Sequence, residues 1–132
     1  MKIEQVTKDD EAWIKELFEV NSYILGGFGL TWHMFWKNKK PNEFWIKIGT
    51  EAFARYLIKK NGSGVTLYEI AVKTKRKGYG SALMKYMGTP MQLKTDADNE
   101  ESNAFYEKLG FICRGKKKSK NGKKEFNIYK KW

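Results

Sequence analysis

Between residues 73 and 83 the chain reads K-T-K-R-K-G-Y-G-S-A-L. Lys73, Lys75, Arg76 and Lys77 stand before Gly78 and Gly80, and a helical pattern opens at Ser81. Glycine lets the backbone take left-handed conformations and lets a ligand come close to the main chain. A helix start offers unpaired N–H groups and the positive end of a dipole, which suits an anion. The stretch therefore reads as a phosphate site. It is not a P-loop, because no G-x-x-x-x-G-K-[ST] run surrounds it. Nor is it a dinucleotide fingerprint, since Leu83 stands where the third glycine of G-x-G-x-x-G belongs.

The elements that must position this loop can be read from periodicity and turn signals. Residues 1–6 alternate enough for a short strand, and Asp9 or Asp10 is placed to cap a helix through Trp13, Ile14, Leu17, Phe18 and Ile24. Gly26, Gly27 and Gly29 interrupt it, a second short helix covers 30–36, and Pro41 stops it. Residues 44–49 and 52–60 form a hairpin, the turn N-G-S-G (61–64) leads into the strand V-T-L-Y-E-I-A-V (65–72), and 81–87 is a helix before Gly88 and Pro90. A strand at 91–95 and a helix from Glu100 to Leu109 follow, with Gly110 as its left-handed cap. Two last strands, 111–115 and 125–132, meet through a lysine-rich turn in which Asn121-Gly122 signals a two-residue hairpin. The order predicts an α/β fold, a mixed sheet of about seven strands with four helices.

The totals bound the function. A chain of 132 residues predicts one domain, 1–132, and 15% aromatic residues argue for a packed core. Cys113 is the only cysteine and His33 the only histidine, so neither an intrachain disulfide nor a Cys/His zinc cluster is expected. Cys113, in an apolar context, reads as a small buried hydrophobe. The longest apolar run, Tyr23 to Leu30, is glycine-interrupted and too short to span a bilayer, and the N-terminus lacks the apolar core of a signal peptide. A reducing, cytoplasmic location is the expectation. The formal charge is +11, and from Arg114 onward nine Lys or Arg face one acid, Glu125. Such a run is usually a solvated face that also protects an edge strand, with weak nucleic-acid contact as the other reading.

The second half carries a recognisable pair of motifs. The loop K75-R-K-G-Y-G80 and the segment N99-E-E-S-N-A-F-Y-E-K-L-G-F111 resemble the GNAT superfamily of N-acetyltransferases. The coenzyme A loop of that superfamily reads [RQ]-x-x-G-x-[GA], and its late helix reads N-x-x-[AS]-x-x-x-Y-x-x-x-G-F. The match covers roughly 65 to 113, with Asn99, Ser102, Tyr106, Gly110 and Phe111 in register. Lys75 stands where Arg or Gln is usual, and the pattern's strand-end valine, counted back from it, falls on Ile70 rather than Val72.

The resemblance implies acetyl transfer from acetyl-coenzyme A to a primary amine in a ternary complex, without a metal. The backbone around Lys75, Arg76, Lys77, Gly78, Tyr79, Gly80 and Ser81 would hold the pyrophosphate. Ile70, Ala71 and Val72 would flank the pantetheine arm where two strands splay, and one of their N–H groups would serve the oxyanion. Tyr106 would donate a proton to the leaving thiolate. Glu69, alone among apolar residues of its strand, is the candidate base, because desolvation would raise its proton affinity. Glu51, Asp96, Asp98 or a water chain are alternatives. Asn99 would bond the coenzyme arm, cap its helix, or do both, and Asn103 would add a polar contact. Trp32, His33 and Trp36 would line the acceptor pocket. A monomer or homodimer is expected. A binding module of the same fold, inactive and attached to a polyanion through its C-terminal lysines, is the alternative.

Overall fold

The computed structural model describes residues 2–20 and 36–132, the side chains of 18–20 excepted. The described chain begins with strand β1 (Glu4–Gln5), a 3-10 turn (Lys8–Asp10) and helix α1 (Glu11–Val20). Three strands follow, β2 (Glu43–Ile48), β3 (Ala52–Ile58) and β4 (Val65–Val72), then helix α2 (Tyr79–Met87) and β5 (Met91–Asp96). Helix α3 (Glu100–Lys108) and strands β6 (Ile112–Lys118) and β7 (Glu125–Lys131) complete it. All seven strands form one sheet in the order β1-β2-β3-β4-β5-β7-β6, antiparallel except for the β4–β5 pair. The expected mixed sheet of seven strands is thus present. Three α-helices lie within the described residues, and the helix expected at 30–36 falls almost wholly outside them, as does the expected continuation of α1 to Ile24.

The two faces of the sheet are covered by different helices. On one, Ile46, Ala54, Leu67, Leu93 and Tyr129 pack with Leu83, Met84 and Met87 of α2 and Tyr106 of α3. On the other, Trp45, Phe53 and Ala71 pack with Ile14 and Leu17 of α1, on its apolar stripe. Among the described residues no helix is long and apolar enough to cross a membrane.

Three local expectations are corrected. The cap lies at Thr7, on the 3-10 turn that leads into α1, rather than at Asp9 or Asp10: its Oγ1 accepts from Asp9 N at 3.3 Å, and Asp10 closes a capping box by accepting from Thr7 N at 2.8 Å. The signal was the T-x-x-D spacing. The β6–β7 hairpin closes through four residues, not two, with Ser119 N donating to Lys124 O at 2.9 Å. There Asn121 Oδ1 accepts from Lys123 N at 3.0 Å and Gly122, at φ 69°, ends the turn, so the Asn-Gly pair serves a wider loop. Cys113 is exposed, not buried, because β6 is an edge strand whose residues are all exposed. Lys116, Lys117 and Lys118 lie on that edge, where charge discourages pairing with another chain.

Asp10 is the hub that ties the start of α1 to the sheet. Its carboxylate also accepts from Trp13 Nε1 at 2.8 Å and from Lys47 Nζ of β2 at 2.8 and 2.9 Å. Burial alone would raise its pKa, but Lys47, Thr7 and Trp13 together hold it below the ordinary value. A depressed carboxyl pKa gives stability that is complete above the unfolded value of 3.8 and drains away as pH falls below it. Asp10→Asn is expected to cost about 1–3 kcal/mol at neutral pH. Urea midpoints measured from about pH 6 down to about pH 3 should show the gap between native protein and variant closing on acidification. A constant gap would contradict the account.

Candidate active site

One extra residue in β4 shapes the site. Arg55 of β3 stands opposite Glu69 while its neighbour Tyr56 stands opposite Leu67, so Tyr68 is a β-bulge. Side-chain direction is inverted across it. Val65 and Leu67 point to the α2/α3 face before the bulge, and Ile70 and Val72 pack on that face after it, whereas Ala71 joins the α1 face. The same inversion applies to the backbone. Lys73 N donates to Glu51 O at 2.7 Å, beside β3. Alternation along an antiparallel ladder then turns the N–H groups of Ala71 and Glu69 toward β3, and those of Ile70 and Val72 toward β5. Yet β5 pairs with β4 only at Val65, Thr66 and Leu67. The strands splay beyond that point, and the N–H groups of Ile70 and Val72 open into the gap.

Strand β4 runs through Val72, so the following loop is two residues shorter than the family pattern, which resolves where the strand-end position lies. Within the loop φ is 64° at Arg76, negative at Lys77 and 80° at Gly78. Alternating handedness of this kind turns successive N–H groups toward one point, a concavity suited to an anion. Gly78 is the N-cap of α2 and offers no side-chain cap, so the first-turn N–H groups of Tyr79, Gly80 and Ser81 lack a helical acceptor. A Cβ at Gly80 would lie 3.2 Å from Phe105 Cζ, so α2 starts close against α3 and a larger residue would have to displace that ring. Lys75, Arg76 and Lys77 are exposed; Lys75 pairs with Glu101 of α3 at 2.6 Å on the surface.

Tyr106 is 6% exposed, its ring 5.2 Å from Phe105, 5.7 Å from Phe111 and 6.1 Å from Tyr129. Burial pushes its hydroxyl well above the usual tyrosine range, so it stays protonated. No described residue hydrogen-bonds that hydroxyl. Asn99 caps α3, its Oδ1 accepting from Ser102 N at 3.2 Å. The Asn103 amide is committed to internal partners: it donates to Asp96 O at 3.2 Å and Ala97 O at 3.3 Å, and accepts from Thr95 Oγ1 and Asn127 Nδ2. It pins α3 to the ends of β5 and β7.

Glu69 does not stand alone. Arg55 Nη2 donates to its Oε1 at 2.9 Å and Nε donates to Oε2, a two-pronged contact, while Nη1 reaches Glu43 Oε2 at 3.2 Å. All three are buried, and Trp45 Nε1 also donates to Glu43 Oε2 at 2.8 Å. Desolvation raises the Glu69 pKa, Arg55 opposes this, and Glu43 adds to the rise. Sequence reasoning isolated Glu69 but missed Arg55, which carries the same signal of a lone charge within an apolar strand, and Glu43, which opens β2. Trp36 packs edge-on against Trp45 at 5.3 Å, while Trp32 and His33 lie outside the described residues. Of the other carboxylates, Asp96 lies 3.9 Å from Lys124, Asp98 is exposed and Glu51 is half-buried.

Solved structures share this fold. The ribosomal-protein-S18-alanine N-acetyltransferase of Escherichia coli is 22% identical with a TM-score of 0.71, covering 97% of this chain and 90% of that one. An aminoglycoside 6'-N-acetyltransferase complexed with coenzyme A is 17% identical with a TM-score of 0.76, covering 99% and 96%. Ard1 of Thermoplasma volcanium is 15% identical with a TM-score of 0.74, covering 98% and 95%. No curated protein matches the sequence. The sequence model of the acetyltransferase (GNAT) family, however, matches residues 11–111, which include the splayed strand, the glycine loop and α3. The chain belongs to the GNAT acetyltransferase family, and it is accordingly an N-acetyltransferase with acetyl-coenzyme A as co-substrate.

Proposed function

We propose that the chain acts as a single domain that moves the acetyl group directly to a primary amine of its acceptor, both substrates being held in one ternary complex. The observation that carries this reading is the pair of open amides at Ile70 and Val72, placed where β4 leads into the anion-binding start of α2. Acetyl-coenzyme A, when bound, supplies the thioester. The N–H groups from Arg76 to Ser81 take its pyrophosphate, with Lys73, Lys75, Arg76 and Lys77 adding attraction at longer range. Ile70 and Val72 flank the pantetheine, and one of their N–H groups stabilises the oxyanion. Ala71, turned toward β3, supports the strand instead.

Tyr106 keeps its proton at neutral pH and can therefore donate to the leaving thiolate. A typical alkylamine is protonated near neutrality and must lose a proton before attack. Glu69 takes it through water, because its side chain is only 3% exposed. Asn99, already the α3 cap, stands at the helix end that faces the loop, through the Lys75–Glu101 pair. Trp36, with Trp32 and His33, is assigned to the acceptor side. The net charge of +11 disfavours polycationic acceptors and suits amines carried on acidic or nucleic-acid-bound partners.

Two experiments test this. Ser81 is exposed in the first turn of α2, where an acidic side chain is tolerated or stabilising. Ser81→Glu should keep the fold and remove the rise in melting temperature that acetyl-coenzyme A gives the native protein. An equal rise in both would place coenzyme binding elsewhere. Tyr106→Phe should lower kcat by about 10²–10⁴-fold with little change in coenzyme affinity. An unchanged kcat would reduce Tyr106 to core packing.

A further inference from the structure

The buried charges beside the proposed base are arranged as a set. Trp45 of β2, Arg55 of β3 and Glu69 of β4 stand directly opposite one another across three strands, and Glu43 lies two residues from Trp45 on the same face. Arg55 is the shared partner of both carboxylates. Trp45 fixes Glu43, and the Arg55 guanidinium also lies 4.7 Å from the Tyr68 ring. Among the described residues, two carboxylates around one guanidinium leave a single negative charge over, in a place poorly screened by water. The charge on Glu43 is therefore felt at Glu69.

We propose that Glu43, Arg55 and Glu69 form one unit, in which Arg55 holds the Glu69 carboxylate in place and Glu43, across the guanidinium, sets how readily Glu69 accepts a proton. This rests on Glu69 being the base. Arg55 and Glu43 are then positioning residues: neither needs to touch the acceptor. The step they serve is the transfer of one proton from the acceptor ammonium, through water, to a Glu69 oxygen. The lone pair freed on nitrogen then attacks the acetyl carbonyl. Among the described residues the charged groups facing Glu69 are Arg55 from β3 and Glu43 from β2. Helix α1 brings the apolar Ile14 and Leu17 to that face.

Two substitutions are expected to move the proton affinity of Glu69 in opposite directions, and the acidic limb of the rate follows them only if Glu69 is the base that the cluster serves. Glu43→Gln keeps an oxygen for Trp45 Nε1 and Arg55 Nη1 but removes a negative charge, so Glu69 should become the weaker base. Arg55→Gln removes the positive charge, so Glu69 should become the stronger one. Arg55→Lys restores charge without the two-pronged contact and should bring it part of the way back.

Carboxyl ¹³C NMR titration of the full chain reads this without any acceptor, with the Glu69 signal assigned by its loss in Glu69→Gln. The expected result is a midpoint lowered in Glu43→Gln, raised in Arg55→Gln and intermediate in Arg55→Lys. The acidic limb of kcat/KM for acetyl transfer to ethylamine, the probe amine, should move in the same directions. Should Arg55→Gln fail to fold, Glu43→Gln and Arg55→Lys still carry the test. A Glu69 midpoint unmoved in folded Glu43→Gln overturns the inference, even if Glu69→Gln slows the reaction. Moving midpoints with an acidic limb that survives Glu69→Gln would instead overturn the base assignment, and the unit's catalytic role with it.

Discussion

A central strand with one residue too many cannot stay in register with both neighbours. In β4 that residue is Tyr68, and the site depends on it. Pairing with β3 is kept along the whole strand, so the misfit falls on the β5 side, where only Val65, Thr66 and Leu67 remain paired. The bulge opens the sheet, turns the amides of Ile70 and Val72 into the opening, and rotates Glu69 away from the α2/α3 face toward Arg55. A strand without the bulge would bury Glu69 under α2 and send its amides into a ladder. The gap, the exposed amides and the orientation of the carboxylate are one structural event.

The two faces that meet at β4 differ in chemistry. On the α2/α3 side the surroundings are apolar and aromatic, which keeps Tyr106 protonated; on the α1 side two carboxylates share an arginine. Burial raises the pKa of Tyr106 and of Glu69 alike, but only Glu69 has a cation to oppose it. Groups so separated can keep a proton donor and a proton acceptor distinct near neutral pH. The glycine loop leads into α2 on the first of these faces, and local backbone handedness at Arg76 and Gly78 sets its shape.

Much of this was legible in the chain. The strand 65–72 was bounded correctly, because β-branched residues fill it and Gly64 and Lys73 flank it. Helix α3 and its Gly110 cap were legible for similar reasons, and φ at Gly110 is 93°. The bulge was not. A bulge leaves no mark in a strand of apolar residues, and the family resemblance named Ile70, Ala71 and Val72 together without saying which way each N–H turns. The cluster itself was not legible, because Arg55, Glu43 and Glu69 lie on three different strands and nothing in the sequence pairs them. Cys113 was misread because burial depends on whether a strand has neighbours on both sides, and β6 has only β7.

The central claim concerns individual amides, so it is tested most directly at individual amides. Hydrogen exchange can be followed by NMR with and without saturating acetyl-coenzyme A. The account expects fast exchange without ligand at Ile70, Val72, Tyr79, Gly80 and Ser81, and slowed exchange at these amides when coenzyme is bound. Ala71, bonded toward β3, should be protected in both states. If Ile70 and Val72 are as protected as Ala71 without ligand, or if coenzyme protects a different set of amides, the bulge does not build the site.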